Sequence, residues 1–291
     1  MRGVGSARAA ISIVNALPLG IGAAVGIDWP ARATAVLDPD RSTEVRMTVE
    51  PRASGTPLVH ASARAALRRF VPAAAGRFRL VVRSSIPAAR GLKSSSAVSA
   101  SVALAAARAG GREPELEDVA RVAAEVGRAS RVSATGAFDD AVAGLLAGGV
   151  VTDNRRDARL RRLDVDRDLR VALWIPDRAH PRSPTVRRRF GRDPALARRA
   201  VDAALDGDWV RAMEANSALV EKAMGYRYAR VHDAVQEAGA VVGGVSGLGP
   251  AFAALAPSRR VARVLRALPR EGRRRSLRLF LEVPGGRGRG R

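Results

Sequence analysis

Residues 86–100 read IPAARGLKSSSAVSA, and the interpretation of the whole chain hangs on this stretch. Upstream, residues 77–84 alternate, with Phe78, Leu80 and Val82 on one face, which predicts a half-buried strand. Downstream, residues 95–108 are rich in alanine and free of proline, which predicts a helix. Between them Pro87 stops the strand, and Gly91 allows a backbone angle closed to other residues. The first turn of a helix carries unpaired N–H groups and the positive end of the helix dipole. With Lys93 and the hydroxyls of Ser94, Ser95 and Ser96 placed there, the turn becomes an anion site suited to phosphate oxygens. The plainer alternative is a helix cap, which one serine would satisfy. No G-x-x-x-x-G-K-[ST] pattern occurs, so this is not a Walker A loop.

Composition narrows the chemistry. The chain has 291 residues and is 47% hydrophobic, enough for one large domain or two ordinary ones with a real core. Cysteine is absent, which removes disulfides, Cys-ligated zinc and thiol nucleophiles. His60, His180 and His232 are far apart in sequence, so a histidine metal cluster or a Ser-His-Asp triad is not expected. The formal charge of +22 invites nucleic-acid binding, but Lys93 and Lys222 are the only lysines and the arginines are spread along the whole chain. No zinc-finger spacing or RNP-like aromatic motif accompanies them, so nucleic acid is not the expected partner. No run approaches the ~18 apolar residues that span a bilayer, and the first residues lack the layout of a signal peptide. The expectation is a cytoplasmic protein with no membrane contact.

Along the chain, strands are expected at 9–14, 22–27, 31–37, 44–50 and 77–83, with helices at 59–71, 95–108 and 115–128. The polar run TDNRRDARLRRLDVDRD marks a junction at about 153–168. Beyond it the order is a strand at 170–175, helices between about 184 and 239, strands at 240–246 and 250–255, a helix at 258–268 and a strand at 276–283. The expected division is a first domain over 1–155, a second over 156–285 and a basic disordered tail over 286–291.

The quoted stretch resembles the phosphate loop of the GHMP kinases, P-x-x-x-G-L-x-S-S-x-A, with Pro87, Gly91, Leu92, Ser94, Ser95 and Ala97 filling it in order. GLKSSSA is similar to one branch, the archaeal-type shikimate kinases. Three further segments agree: VNALPLGIGAAVGID at 14–28, SATGAFDDAVAGLLAGGVVTDN at 133–154, and GGVSGLGPAFAAL at 243–255. The resemblance implies an α+β/α/β two-domain fold, with an N-terminal domain like the second domain of ribosomal protein S5 and a ferredoxin-like C-terminal domain. It also implies transfer of the ATP γ-phosphoryl group, with Mg2+, to a small alcohol; for this branch, the 3-hydroxyl of shikimate. Homoserine or mevalonate as acceptor, or a basic nucleic-acid-binding protein on the same scaffold, are the alternatives.

Carried onto this chain, the resemblance assigns ATP phosphates to Pro87, Gly91, Leu92, Lys93, Ser94, Ser95, Ser96 and Ala97, closed by Gly244, Gly247 and Gly249. Ser95 is the expected magnesium ligand, and Glu125, on the helix before Asp139, is the acidic residue that would complete the site or else simply face solvent. Asp139 and Asp140 are the candidate catalytic carboxylates, to act as base or to orient the hydroxyl. Neighbours in sequence do not share a helix face, so the two have different roles. Capping of the following helix is the structural alternative for both. Asn15 and Asp28 are candidate acceptor ligands. An arginine is wanted for the shikimate carboxylate, but no single one stands out.

Overall fold

The computed structural model describes residues 1–38, 40, 45–50, 56–179 and 186–281. Two antiparallel-rich sheets carry the molecule. The first contains β1 (Arg2–Val14), β2 (Ile21–Asp38), β3 (Val45–Glu50), β4 (Gly76–Ser84), β5 (Gly149–Asp153) and β6 (Ala158–Leu163), in the order β3-β4-β2-β5-β6 with β1 also on β2. The second has the order β10-β7-β9-β8, from β7 (Leu169–Ile175), β8 (Val242–Val245), β9 (Phe252–Pro257) and β10 (Arg273–Arg278).

The two strands expected at 22–27 and 31–37 are one, β2. Pro30 does not break it because of where it lies. Pairing of β2 with β5 ends at Val25 and pairing with β4 begins at Ala31, so no ladder on that side asks Pro30 for an N–H. On the other side a register shift between Arg8 and Ala9 absorbs the irregularity.

Helices α1 (Thr56–Phe70), α2 (Ser94–Ala109), α3 (Leu116–Ala129) and α4 (Phe138–Leu146) share one apolar core with the first sheet. Central α2 is a nearly solid column of small residues, buried from Ala97 through Ala109 at almost every position. Small side chains bury area only when backbones come close. Gly5 of β1 allows this: a Cβ there would stand 2.0 Å from the Ser101 carbonyl oxygen.

The first sheet ends inside the junction expected at 153–168. The first sheet runs on through β6 to Leu163, past the division expected at residue 155, because β6 pairs with β5. Its outward arginines give it the look of a polar linker; only Leu163 is buried. The second sheet is covered on both faces. Val171, Leu173, Ala253 and Leu255 pack toward β1, α6 (Pro194–Asp206) and α7 (Trp209–Met224). Ala172, Trp174, Phe252 and Ala254 pack against α5 (Val186–Phe190), α7, α8 (Ala229–Glu237) and α9 (Val261–Ala267). That explains the almost uninterrupted apolar run of β7. After β10 the chain returns to the first sheet, where Phe280 N–H donates to the Gly26 carbonyl at 2.8 Å. The basic tail expected at 286–291 lies outside the described residues. No described helix is long and apolar enough to cross a membrane.

Candidate active site

Two helices begin at the same place, and both start from a non-glycine residue in the left-handed backbone region. Lys93 (φ 61°, ψ 28°) precedes α2 and Ala137 (φ 55°, ψ 46°) precedes α4. Such a conformation costs about 1–3 kcal/mol and persists only where its surroundings enforce it. Neither helix has a side-chain cap, so the capping explanation for the serines and for Asp139–Asp140 fails. The first-turn donors of α2 are left for something else, whereas on α4 the Asp139 N–H is taken by Asn154 Oδ1 at 3.3 Å.

The residues of the expected phosphate loop divide between core and open positions. Leu92 (0% exposed) and Ala97 (1%) are core residues that anchor it. Ser94 donates its hydroxyl to the Ile86 carbonyl at 3.2 Å and closes the turn. Ser95 and Ser96 are half-buried, and their hydroxyls make no hydrogen bond among the described residues. Pro87 lines a shallow recess of about 170 Å3 with Ala88, Arg90, Ile175, Pro176, Asp177 and Arg273 beside the loop. A larger recess of about 500 Å3, lined by Arg188, Arg189, Arg192 and Lys222 among others, contains none of these residues.

The third motif closes on the loop backbone to backbone. Gly91 (φ 82°) admits no side chain, because a Cβ would lie 1.9 Å from the Ser246 carbonyl oxygen. Ser246 Oγ donates to the Gly91 carbonyl at 2.7 Å, and Ala251 N–H donates to the Arg90 carbonyl at 3.1 Å. A Cβ on Gly247 would lie 3.5 Å from Lys93 Nζ, so this glycine borders the ammonium. Gly249 packs on Tyr226, whose hydroxyl donates to the Leu248 carbonyl at 2.8 Å. Gly244 is not part of this closure. It faces Met213 and Ser217, and its lack of a side chain lets α7 approach β8.

A third segment, the end of β1, is stitched to the same loop. Ser12 N–H donates to Ser246 Oγ and Gly247 N–H to Ser12 Oγ, each at 3.1 Å, with both serines wholly buried. Asn15 continues the seam: Nδ2 donates to the Gly247 carbonyl at 3.1 Å and Oδ1 accepts from Leu17 N–H at 2.9 Å. Its backbone N–H donates to Asn216 Oδ1 at 2.8 Å. The Asn15 amide is thus spent on the fold, and its expected role as an acceptor ligand gives way to that of a clamp. Asp28 is also corrected. It pairs with Arg278 at 3.0 Å and Arg8 at 3.7 Å, six residues along β2 from Gly22, or roughly 20 Å at strand spacing.

The two aspartates have different partners. Asp140 Oδ1 lies 2.8 Å from Lys93 Nζ, with both side chains largely buried. The contact is a charge-assisted hydrogen bond, the ammonium donating to the carboxylate. Asp139 Oδ1 accepts from Asn154 Nδ2 at 2.7 Å, and its other oxygen faces Gly22 and Ala16. Two carboxylates and one ammonium leave the cluster with one excess negative charge away from water. Burial, then the Asp139 charge, push the Asp140 carboxyl up to about 7 against the pull of Lys93. Burial also works against the Lys93 ammonium, but Asp140 and Asp139 outweigh it and hold its pKa above the ordinary lysine value. Glu125 does not join them: it is exposed on α3, where Arg128 is the cation beside it.

Sequence reasoning missed Ser12, Ser246, Asn154, Asn216 and Ser217. Ser246 and Asn154 stand inside stretches already singled out, so a polar residue interrupting a glycine loop was the available signal. For Ser12, Asn216 and Ser217 there was none.

Comparison with known proteins gives a consistent result. The model for the N-terminal domain of GHMP kinases matches residues 58–148, and that for the GHMP kinase C-terminal domain matches residues 197–274. A shikimate kinase of Methanothrix thermoacetophila is 36% identical over 264 residues, covering 88% of this chain and 85% of its own. One from Pyrococcus abyssi is 31% identical over 256 residues, covering 88% and 92%. Among solved structures, the mevalonate kinase of Methanococcus jannaschii superposes with a TM-score of 0.74 at 13% identity, covering 96% of this chain and 99% of that one. A homoserine kinase from Cytophaga hutchinsonii gives 0.73 at 15% identity, covering 97% and 96%. The solved structures bear on the fold alone.

Proposed function

The chain belongs to the GHMP kinases, in the branch of the shikimate kinases, and on that premise we propose that it transfers the γ-phosphoryl group of ATP to the 3-hydroxyl of shikimate. The observation that carries the proposal is the buried Lys93–Asp140 contact at the point where two helix N-termini meet.

Phosphoryl transfer asks for positioning and for neutralisation of charge on the transferred group. The unpaired N–H groups at the start of α2, with the Ser95 and Ser96 hydroxyls, supply donors to the phosphates. Gly91 and Gly247 let backbone come close on either side, and Lys93 supplies a fixed cation. Asp140 stands hydrogen-bonded to that cation, where an acceptor hydroxyl would lie between the carboxylate and the transferred group. A carboxyl near 7 suits a general base at neutral pH. We therefore assign the base role to Asp140 and a holding role to Asp139.

The donor set also bears on magnesium. Among the described residues no group of three or more His, Cys, Asp or Glu could hold a metal ion. That fits an ion carried mainly by the nucleotide's own phosphates, with one protein oxygen, which we assign to Ser95. When bound, Mg2+ would neutralise phosphate charge. Glu125 drops out of that assignment because it sits in the open beside Arg128. The recess at Pro87, Ala88 and Arg90 is the space beside the loop into which the rest of the nucleotide would extend. We place the reaction in the cytoplasm.

The test is product identity. Purified protein incubated with ATP, Mg2+ and shikimate should yield a single phosphate ester whose 31P signal couples to the proton on shikimate C3. Coupling to another carbon, or no ester, contradicts the proposal.

A further inference from the structure

Asp139 is held by one residue, and that residue cannot turn. Asn154 Nδ2 donates to Asp139 Oδ1 at 2.7 Å. Asn154 Oδ1 accepts the Thr152 hydroxyl at 2.6 Å and the Asp139 backbone N–H at 3.3 Å. Flipping the amide would set oxygen against carboxylate and NH2 against two donors. Thr152, Asn154 and Asp139 are 0%, 2% and 3% exposed, so water does not compete for these bonds. The backbone N–H of Asn154 also donates to the Gly20 carbonyl at 2.8 Å, which ties the same residue to the loop joining β1 and β2.

From this we infer that Asn154, oriented by Thr152, is a positioning residue for phosphoryl transfer: it fixes the Asp139 carboxylate in place beside Asp140, so that Asp140 is the one that exchanges a proton with the acceptor hydroxyl. The inference rests on the kinase reading above. A hydrogen bond donated to a carboxylate favours its charged form. Two adjacent carboxylates beside a single ammonium cannot both hold their charge cheaply, and it is the Asp140 carboxyl that burial and the Asp139 charge push up. The charged groups facing Asp139 are Lys93 at the start of α2 and Asp140 beside it. From α3, Arg128 reaches toward the Asn154 carbonyl at 3.5 Å but is bound to Asp157 at 2.6 Å. Gly22 and Ala16, from the β1–β2 side, bring no charge.

The experiment compares Asn154→Ala, Thr152→Val and Thr152→Ser with the parent protein over pH. Thr152→Val keeps the side-chain shape and removes only the donor, so it serves where Asn154→Ala fails to fold. Asn154→Ala should lower kcat at neutral pH by about 10–100-fold, with KM for ATP within about twofold. The acid limb of kcat should move to lower pH, because Asp139, no longer held in place, raises the Asp140 carboxyl less. Thr152→Val should move both in the same direction by less, and Thr152→Ser should behave as the parent. A fall in kcat with the limb unmoved, a rise in KM at constant kcat, or a loss explained by a smaller folded fraction would each overturn the inference. Carbon-13 titration of aspartate carboxyls gives a readout that needs no turnover. The parent should show one of the two carboxyls ionised where its neighbour takes up a proton, and the variants should draw the two together. A split in the parent without shikimate turnover would sink the substrate but keep the inference. Turnover without a split would do the reverse.

Discussion

Lys93 Nζ lies 2.8 Å from Asp140 Oδ1, in a site where the two side chains are 13% and 6% exposed. A lysine from the phosphate loop and a carboxylate from the acidic motif, 47 positions later in the chain, thus form one functional unit. Breaking such a buried pair from one side costs about 3–5 kcal/mol, because the remaining charge is stranded. Lys93→Met should therefore abolish turnover and destabilise the protein at neutral pH. Denaturant titration should show that loss shrinking at acid pH, where the stranded Asp140 takes up a proton.

Asp140 itself gives the pH prediction. Its carboxyl is raised above its unfolded value, to about 7, so the native state holds a proton that the unfolded chain has released. The stability this confers is fully present below about pH 4 and is lost as pH rises toward 7. Asp140→Asn removes the titration and leaves Lys93 facing Asp139 alone. Relative to the parent, the Asn variant should gain stability between pH 5 and pH 8 while losing activity; urea midpoints at those two pH values check it. A relative loss over that range would contradict the assignment.

Ser246 bridges Ser12 N–H and the Gly91 carbonyl in a fully buried position. Ser246→Ala leaves a donor and an acceptor unpaired, at about 1–3 kcal/mol each. The loop then loses its hold on the phosphate cradle, so KM for ATP should rise more than kcat falls. Steady-state kinetics with ATP varied separates the two.

The phosphate loop, the acidic pair and the glycine loop were legible because each is a local pattern: a proline, a glycine and hydroxyls at fixed intervals ahead of a helix. What was not legible depends on contacts between distant positions. Ser12 and Ser246 are 234 residues apart and Asn15 and Asn216 are 201 apart, and no spacing rule joins them. Asn15 and Asp28 looked like ligands because polar residues in an apolar strand are conspicuous, yet each is consumed by a neighbour the sequence does not show. β6 reads as linker because three of its six residues are arginines facing water. Its only apolar inward residue, Leu163, is too little pattern to see.

Asp28 supplies a control. Its pairs with Arg278 and Arg8 are partly exposed, and such pairs contribute about 0–1 kcal/mol. Asp28→Ala should leave kcat and KM for shikimate within about twofold of the parent. A large rise in KM would restore it as an acceptor ligand.

The most direct test of the central claim is ADP release by the parent and by Asp140→Asn with ATP and Mg2+, in the presence of shikimate, homoserine, mevalonate or no acceptor. The account predicts release that depends on shikimate alone and falls at least 100-fold in the Asn variant, in line with loss of a positioned general base. Release driven by homoserine or mevalonate, or shikimate-dependent release that survives in the variant, would contradict it.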